Sequence, residues 1–252
     1  MQYSYAIKYI DCLHNPGKIL EVPTSIRGNV LKALICLSKY LGKYLEFKDS
    51  LKQYGIKWLK PDSFDSFINI FQNNSDSLIQ WYKDAANILN ENEKLYLKFI
   101  AYSGLRAISE GIKSFNMIIE LNKQNKLNEY YNEDLSTLEH YKYKQFLRNS
   151  KNVFISILPK ELITQVSNSQ PVSYSMIRKR LNKHNFKLRI KELRSFYASY
   201  MIKHGLSEIE TDILQGRVGK SILIRHYFKA NPKELSNKVL AILKDLENSV
   251  NT

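Results

Sequence analysis

Apolar residues recur every three or four positions along nearly the whole of this 252-residue chain, a period that commits it to a largely helical fold. The clearest stretch is 190–204, where Leu193, Phe196, Tyr197, Tyr200 and Met201 share one stripe and Gly205 stands where the helix should stop. Val30, Leu31, Leu34, Cys36, Leu37, Leu41 and Leu45 predict a helix over 26–46 with Cys36 buried in it. Pro61, with Phe64, Phe67, Ile68 and Phe71 behind it, announces another. Residues 78–89 and 92–103 read as a pair of helices, the second ended by Gly104. The segment 115–137 reads as helical and peripheral. Residues 173–184 form a helix in which Tyr174, Ile177 and Leu181 can pack while Arg178, Lys179, Arg180 and Lys183 cover the rest. Ser207-Glu-Ile-Glu210 is a capping box opening a short helix that Gly216 closes. Leu235, Val239, Leu240, Ile242, Leu243 and Leu246 mark a final amphipathic helix. The period changes only over 138–158, where the β-rich run Val153–Leu158 and the residues before Asn149 predict a hairpin with Lys151 at its turn. The fold class is therefore mainly α with a small antiparallel β-hairpin. The polar run 72–77 divides it into a helical domain over 1–76 and a larger one over 77–252.

Charge is concentrated. Of a net +14, a share of +9 lies in residues 171–230, where 13 Lys and Arg face 4 Asp and Glu. A solvated surface spreads its cations; a polyanion partner accounts for gathering them, since each neutralised phosphate releases a counterion. Cys12 and Cys36 have no CxxC spacing, which fits a reducing compartment and offers no disulfide framework or zinc site. The five histidines are scattered, so no metal or cofactor is expected. Every long apolar run is interrupted by Lys, so no membrane span is expected, and the N-terminus has neither the apolar core nor the cleavage site of a secretory signal. These features place the expected protein in the cytoplasm, with nucleic acid.

Three arginines stand at backbone-defined positions: Arg106 just past Gly104, Arg194 near the start of the 190–204 helix, and Arg217 beside Gly216. Guanidinium groups suit a phosphodiester under attack, because each is planar, permanently charged and able to grip two oxygens. Tyr227, ten residues beyond Arg217, is the candidate nucleophile. Lys151 is the candidate proton donor to the leaving oxygen, and Lys191 would add charge on the face of Arg194. Arg178, Lys179, Arg180, Lys183, Lys187 and Lys220 are the candidate DNA-backbone contacts. Taken singly these are packing tyrosines and solvated cations. Their order, and their placement at helix ends and a hairpin turn, set them apart.

The order Gly104-Leu-Arg106, Lys191-x-x-Arg194, Gly216-Arg217 and Tyr227 resembles the catalytic signature of the tyrosine recombinases. Lys at 191 and Arg at 217, where most members carry His and His or Trp, resemble the archaeal virus and plasmid integrases of the fusellovirus type. Glu110 resembles the acidic residue that steadies the first arginine, displaced by one position. Asn149-Ser-Lys-Asn-Val-Phe-Ile resembles the hairpin carrying the family lysine, with Lys144 a rival to Lys151. The resemblance covers roughly 80–252. It implies a catalytic tyrosine-recombinase domain there, and a core-binding domain that clamps duplex DNA in the N-terminal helices. It further implies attachment-site DNA as partner, a homotetramer with exchange of the C-terminal helix, a 3′-phosphotyrosyl intermediate, and integration of an archaeal virus or plasmid. A type IB topoisomerase would use the same chemistry on one protomer; an inactive DNA-binding relic would keep only the basic surface.

Overall fold

The computed structural model describes residues 2–56, 75–147, 152–217 and 231–251. The predicted helix at Pro61, Lys151, Lys220 and Tyr227 lie outside the described residues. The chain divides into two compact units, Met1–Asn73 and Asn74–Thr252.

The first unit holds α1 (Gln2–Lys8), α2 (Asp11–His14), α3 (Thr24–Tyr40) and α4 (Tyr44–Gln53). Its core is Cys12, Ile19, Val22, Val30, Leu31, Leu34, Phe47 and Leu51. The single helix expected over 26–46 is two. Gly42, at φ 70°, breaks it, because that left-handed conformation is open to glycine at no steric cost. The break turns α4 so that Phe47 and Leu51 reach the core, while Leu41 and Leu45 are exposed. Cys36 is exposed as well, and Cys12 is the buried thiol. Val30, Leu31, Ala33, Leu34 and Ser38 fill the inner face of α3, and Cys36 falls on the opposite side.

The second unit contains α5 (Ser75–Ile88), α6 (Glu91–Ser103), α7 (Ile112–Lys123), α8 (Lys160–Ser167), α9 (Tyr174–Lys183), α10 (Leu193–Lys203), α11 (Glu208–Leu214) and α12 (Pro232–Asn251). Three short strands, β1 (Tyr131–Asn132), β2 (Thr137–Leu138) and β3 (Ser156–Ile157), make one antiparallel sheet in that order. Its register sets Tyr131 against Leu138, and Thr137 against Ile157. The fold is thus mainly helical with a small antiparallel sheet. Both capping boxes, Asn90/Glu93 on α6 and Ser207/Glu210 on α11, are formed.

Two expectations change here. The segment 115–137 is not a peripheral helix: α7 ends at Lys123, Phe115, Ile118 and Ile119 are buried, and 131–138 is a tight hairpin. Ser136 turns at φ 49° and the Asn132 side chain accepts from the Leu135 amide (3.2 Å), which closes the turn. The arms of the hairpin expected over 138–158 do run side by side, with Tyr141 N–H on the Phe154 carbonyl (3.0 Å) and Val153 N–H on that of Phe146 (3.3 Å). Among the described residues strand geometry is nonetheless confined to two residues on each arm, and the first arm is taken up by 3₁₀ turns at His140–Lys142 and Lys144–Phe146.

Helix α12 is seated on the second unit. Leu235, Val239, Ile242, Leu243 and Leu246 are buried in the core there. Ser236 donates to the Leu135 carbonyl (2.6 Å), Lys98 pairs with Glu247 (2.5 Å) and Lys238 with Glu210 (3.3 Å). No described helix is long and apolar enough to cross a membrane.

Candidate functional site

The site is built from the ends of helices. Helix α6 stops at Gly104, which is left-handed at φ 63°; a Cβ there would run into the ring of Tyr197 on α10. Glycine is therefore demanded twice, by conformation and by space. Two residues on, the backbone is extended at Arg106 and then enters a π turn over 107–111. The carbonyl of Arg106 accepts from Glu110 N–H (3.0 Å) and from Gly111 N–H (2.9 Å). Tyr96, fully buried on α6, anchors this turn by donating to the Ala107 carbonyl (2.6 Å).

A π turn takes in one residue more than an α turn. That accounts for Glu110 standing one position further from Arg106 than the resemblance suggests: the wider turn brings the carboxylate back. Glu110 is 1% exposed. One oxygen accepts from the Arg106 amide (3.0 Å) and the other pairs with the Arg106 guanidinium. The same carboxylate lies 3.7 Å from Arg194 Nη1. A single buried anion thus joins two arginines that are 88 positions apart in the chain.

Arg194, in the first turn of α10, has an 11% exposed side chain. Its Nη1 donates to the Gly104 carbonyl (2.7 Å) and its Nη2 to the Gln215 carbonyl (2.7 Å). The buried Gln215 side chain returns a bond to the Arg194 carbonyl (3.0 Å). The start of α10 and the end of α11 are therefore clasped. Next to the clasp, Gly216 is left-handed at φ 69° and packs so close to the Asn152 carbonyl that a Cβ would collide with it. Arg217 follows, with its amide on the Asp212 carbonyl (2.7 Å) and its guanidinium 3.4 Å from the Asp212 carboxylate. It remains 61% exposed.

Burial pulls the Arg194 guanidinium down to about 10, and the positive charges of Arg106 and Arg217 pull the same way against Glu110. Arg194 stays charged at neutral pH. Arg106 and Arg194 share the Glu110 carboxylate, and Arg217 follows by two residues the Gln215 carbonyl that Arg194 holds. Three cations with one buried carboxylate, and one exposed aspartate beside Arg217, leave local positive charge that an oxyanion can neutralise.

The other expected residues fall as follows. Lys191 is exposed in the 3₁₀ turn immediately before α10. Arg178, Lys179 and Lys183 are exposed on α9, and Lys187 just beyond it. Arg180 is engaged within the fold. Its Nε meets the buried Glu93 carboxylate at 2.6 Å, so it ties α9 to the start of α6. Lys144 is exposed in its 3₁₀ turn. Gln215, Tyr197 and Tyr96 support the site, yet spacing alone does not single them out, because each acts through a fold contact with a distant segment. A buried polar chain also runs beneath the sheet: Ser114 to Tyr130 (2.9 Å), Tyr130 to His140 Nδ1 (2.6 Å) and His140 Nε2 to Ser156 (2.9 Å). Burial pushes His140 down to about 3, which leaves it neutral. Among the described residues no group of three or more His, Cys, Asp or Glu could hold a metal ion.

No curated protein and no solved structure matches the chain. The family model for archaeal phage integrase matches residues 71–236, a span that takes in the three arginines, Glu110 and the clasp, and the chain belongs to that family.

Proposed function

We propose that this integrase-type DNA recombinase cuts and rejoins duplex DNA by nucleophilic attack of Tyr227 on a phosphodiester. The Tyr227 oxygen, losing its proton to water, bonds to phosphorus; the bond from phosphorus to the 5′-oxygen breaks; and that oxygen leaves as a hydroxyl after taking a proton. The product is a 3′-phosphotyrosyl link, and reversal with a second 5′-hydroxyl reseals the strand without an external energy source. Arg106, Arg194 and Arg217 bind the non-bridging oxygens, where charge rises during attack. Lys151 supplies the proton to the leaving oxygen, with Lys144 the alternative, and Lys191 adds positive charge. Arg178, Lys179, Lys183, Lys187 and Lys220 hold the DNA backbone, and Arg180 joins them from its structural pairing with Glu93. The 1–76 domain acts as a clamp on the duplex and 77–252 as the catalytic domain. The element integrated is an archaeal virus or plasmid.

One observation carries the reading: the guanidiniums of Arg106 and Arg194 share one buried carboxylate, Arg194 also holds the Gly104 and Gln215 carbonyls, and Arg217 follows Gln215 by two residues with its side chain largely in solvent. The test is a nicked suicide duplex that releases its short leaving strand. Wild type is expected to accumulate a covalent protein–DNA adduct that maps to Tyr227, and Tyr227→Phe to bind the duplex and form none. An adduct from Tyr227→Phe would place the nucleophile elsewhere.

A second reading puts the same chemistry on a single protomer, which nicks and reseals and so relaxes supercoiled DNA; α12 then keeps its contacts within one chain. A homotetramer with exchanged C-terminal helices would instead place a neighbour's α12 on the same contacts. Mass measurement of the complex on attachment-site DNA separates four protomers from one.

A further inference from the structure

The π turn after Arg106 does more than return Glu110 to its arginine. Within it Ile108 is exposed (48%) and stands two positions from Arg106. Ile108 stands at the wall of an open groove whose other side is α9. Ile112 continues the apolar wall, while Ser175, Arg178, Lys179 and Asn182 face it. Among the described residues no acidic side chain lines this groove. Its occupant should therefore be anionic along one edge, to meet Arg178 and Lys179, and should offer an apolar group to Ile108. Duplex DNA fits both requirements: its backbone supplies the charge, and the thymine methyl is the one apolar group that a base pair presents in the major groove.

Resting on the reading of Arg106 as a phosphate ligand, we propose that Ile108 senses the base pair beside the attacked phosphate through contact with a thymine methyl. The cations of α9 fix the backbone in register, and Ile108 contributes sequence preference at one or two positions. The π turn thus carries both the carboxylate that holds Arg106 and the side chain that reaches the base.

The test uses the full-length protein and a suicide duplex library randomised at the four positions on either side of the nick. Bound and covalently trapped fractions are sequenced separately. Wild type is expected to favour thymine at one or two adjoining positions, and replacing that thymine by uracil, which removes only the methyl, to reduce selection about 10-fold. Ile108→Ala and deletion of Ile108 are expected to abolish the preference for thymine over uracil. The deletion should close the π turn to an α turn with Glu110 still on Arg106. If either variant fails to fold, the thymine-to-uracil exchange with wild type still decides the matter. An unchanged profile in Ile108→Ala, or indifference of wild type to the thymine methyl, would overturn the proposal. A wild type that selects thymine in the bound fraction but traps no adduct would remove the phosphotyrosyl mechanism and leave Ile108's role standing.

Discussion

Arg194 and Arg217 stand at the two sides of one clasp but are held by opposite means. Arg194 is nearly enclosed, with two donors on carbonyls and a carboxylate near its Nη1. Arg217 is placed by its backbone, through the left-handed Gly216 and the Asp212 carbonyl, while most of its side chain faces solvent. The first is part of what keeps α6, α10 and α11 together. The second can move onto a ligand without disturbing the fold. The proposed phosphate site would then have one fixed wall and one that can close, and the two halves should respond differently to mutation.

The largest difference is expected at Arg194→Ala. It leaves the Gly104 and Gln215 carbonyls without their donor and Glu110 with one cation instead of two, so both functions fail: covalent-adduct formation should fall by about 10³-fold and unfolding free energy by about 3 kcal/mol, read by suicide-substrate kinetics and urea titration. A variant that loses activity but keeps its full stability would dissolve the distinction. Gly216→Ala probes the hinge between the two arginines. With φ at 69° and the Asn152 carbonyl in the way, it should cost about 2 kcal/mol in the same titration. A neutral substitution would show that the turn is not held as described.

Buried polarity also sharpens the comparison through pH. Folding lowers the His140 pKa from 6.5 to about 3, so the unfolded chain binds the proton more readily through that window. The stabilisation is complete above pH 6.5 and is lost as pH falls toward 3, about 2 kcal/mol of it between pH 6.5 and 5. His140→Phe, weaker overall for the loss of its bonds to Tyr130 and Ser156, should show a flatter dependence in urea titrations across that range. Equal slopes would mean that His140 is protonated in the folded protein. The smallest stability effect belongs to Arg217→Ala: a shift under about 0.5 kcal/mol, beside a loss of adduct formation of about 10²-fold.

Helical period carried the reading of the larger unit because its helices bury long stripes. It also located Gly104, Gly205, Gly216 and the Ser207 capping box, all of which end or start helices through local backbone chemistry. It misread what depends on distant partners. Cys36 fits an apolar stripe by spacing, but the break at Gly42 and the packing of α4 decide which side is inward. The strands are two residues long, too short to alternate, so the 131–138 hairpin leaves little trace beyond its turn residues. At the site, Arg106 and Arg217 were legible because glycines mark their positions, and Arg194 because it stands near the start of the clearest helix. The clasp through Gln215 and the support from Tyr96 and Tyr197 were not, since each is a contact between segments far apart in sequence.

The most direct measurement replaces one non-bridging oxygen of the attacked phosphate with a methyl group, which removes its negative charge. If the arginines act by neutralising that charge, Arg106→Ala and Arg194→Ala should regain adduct formation on the methylphosphonate duplex, relative to wild type, by at least about 10-fold over their deficit on natural DNA. A deficit that stays the same on the neutral phosphate would contradict the assignment of these guanidiniums to the phosphate.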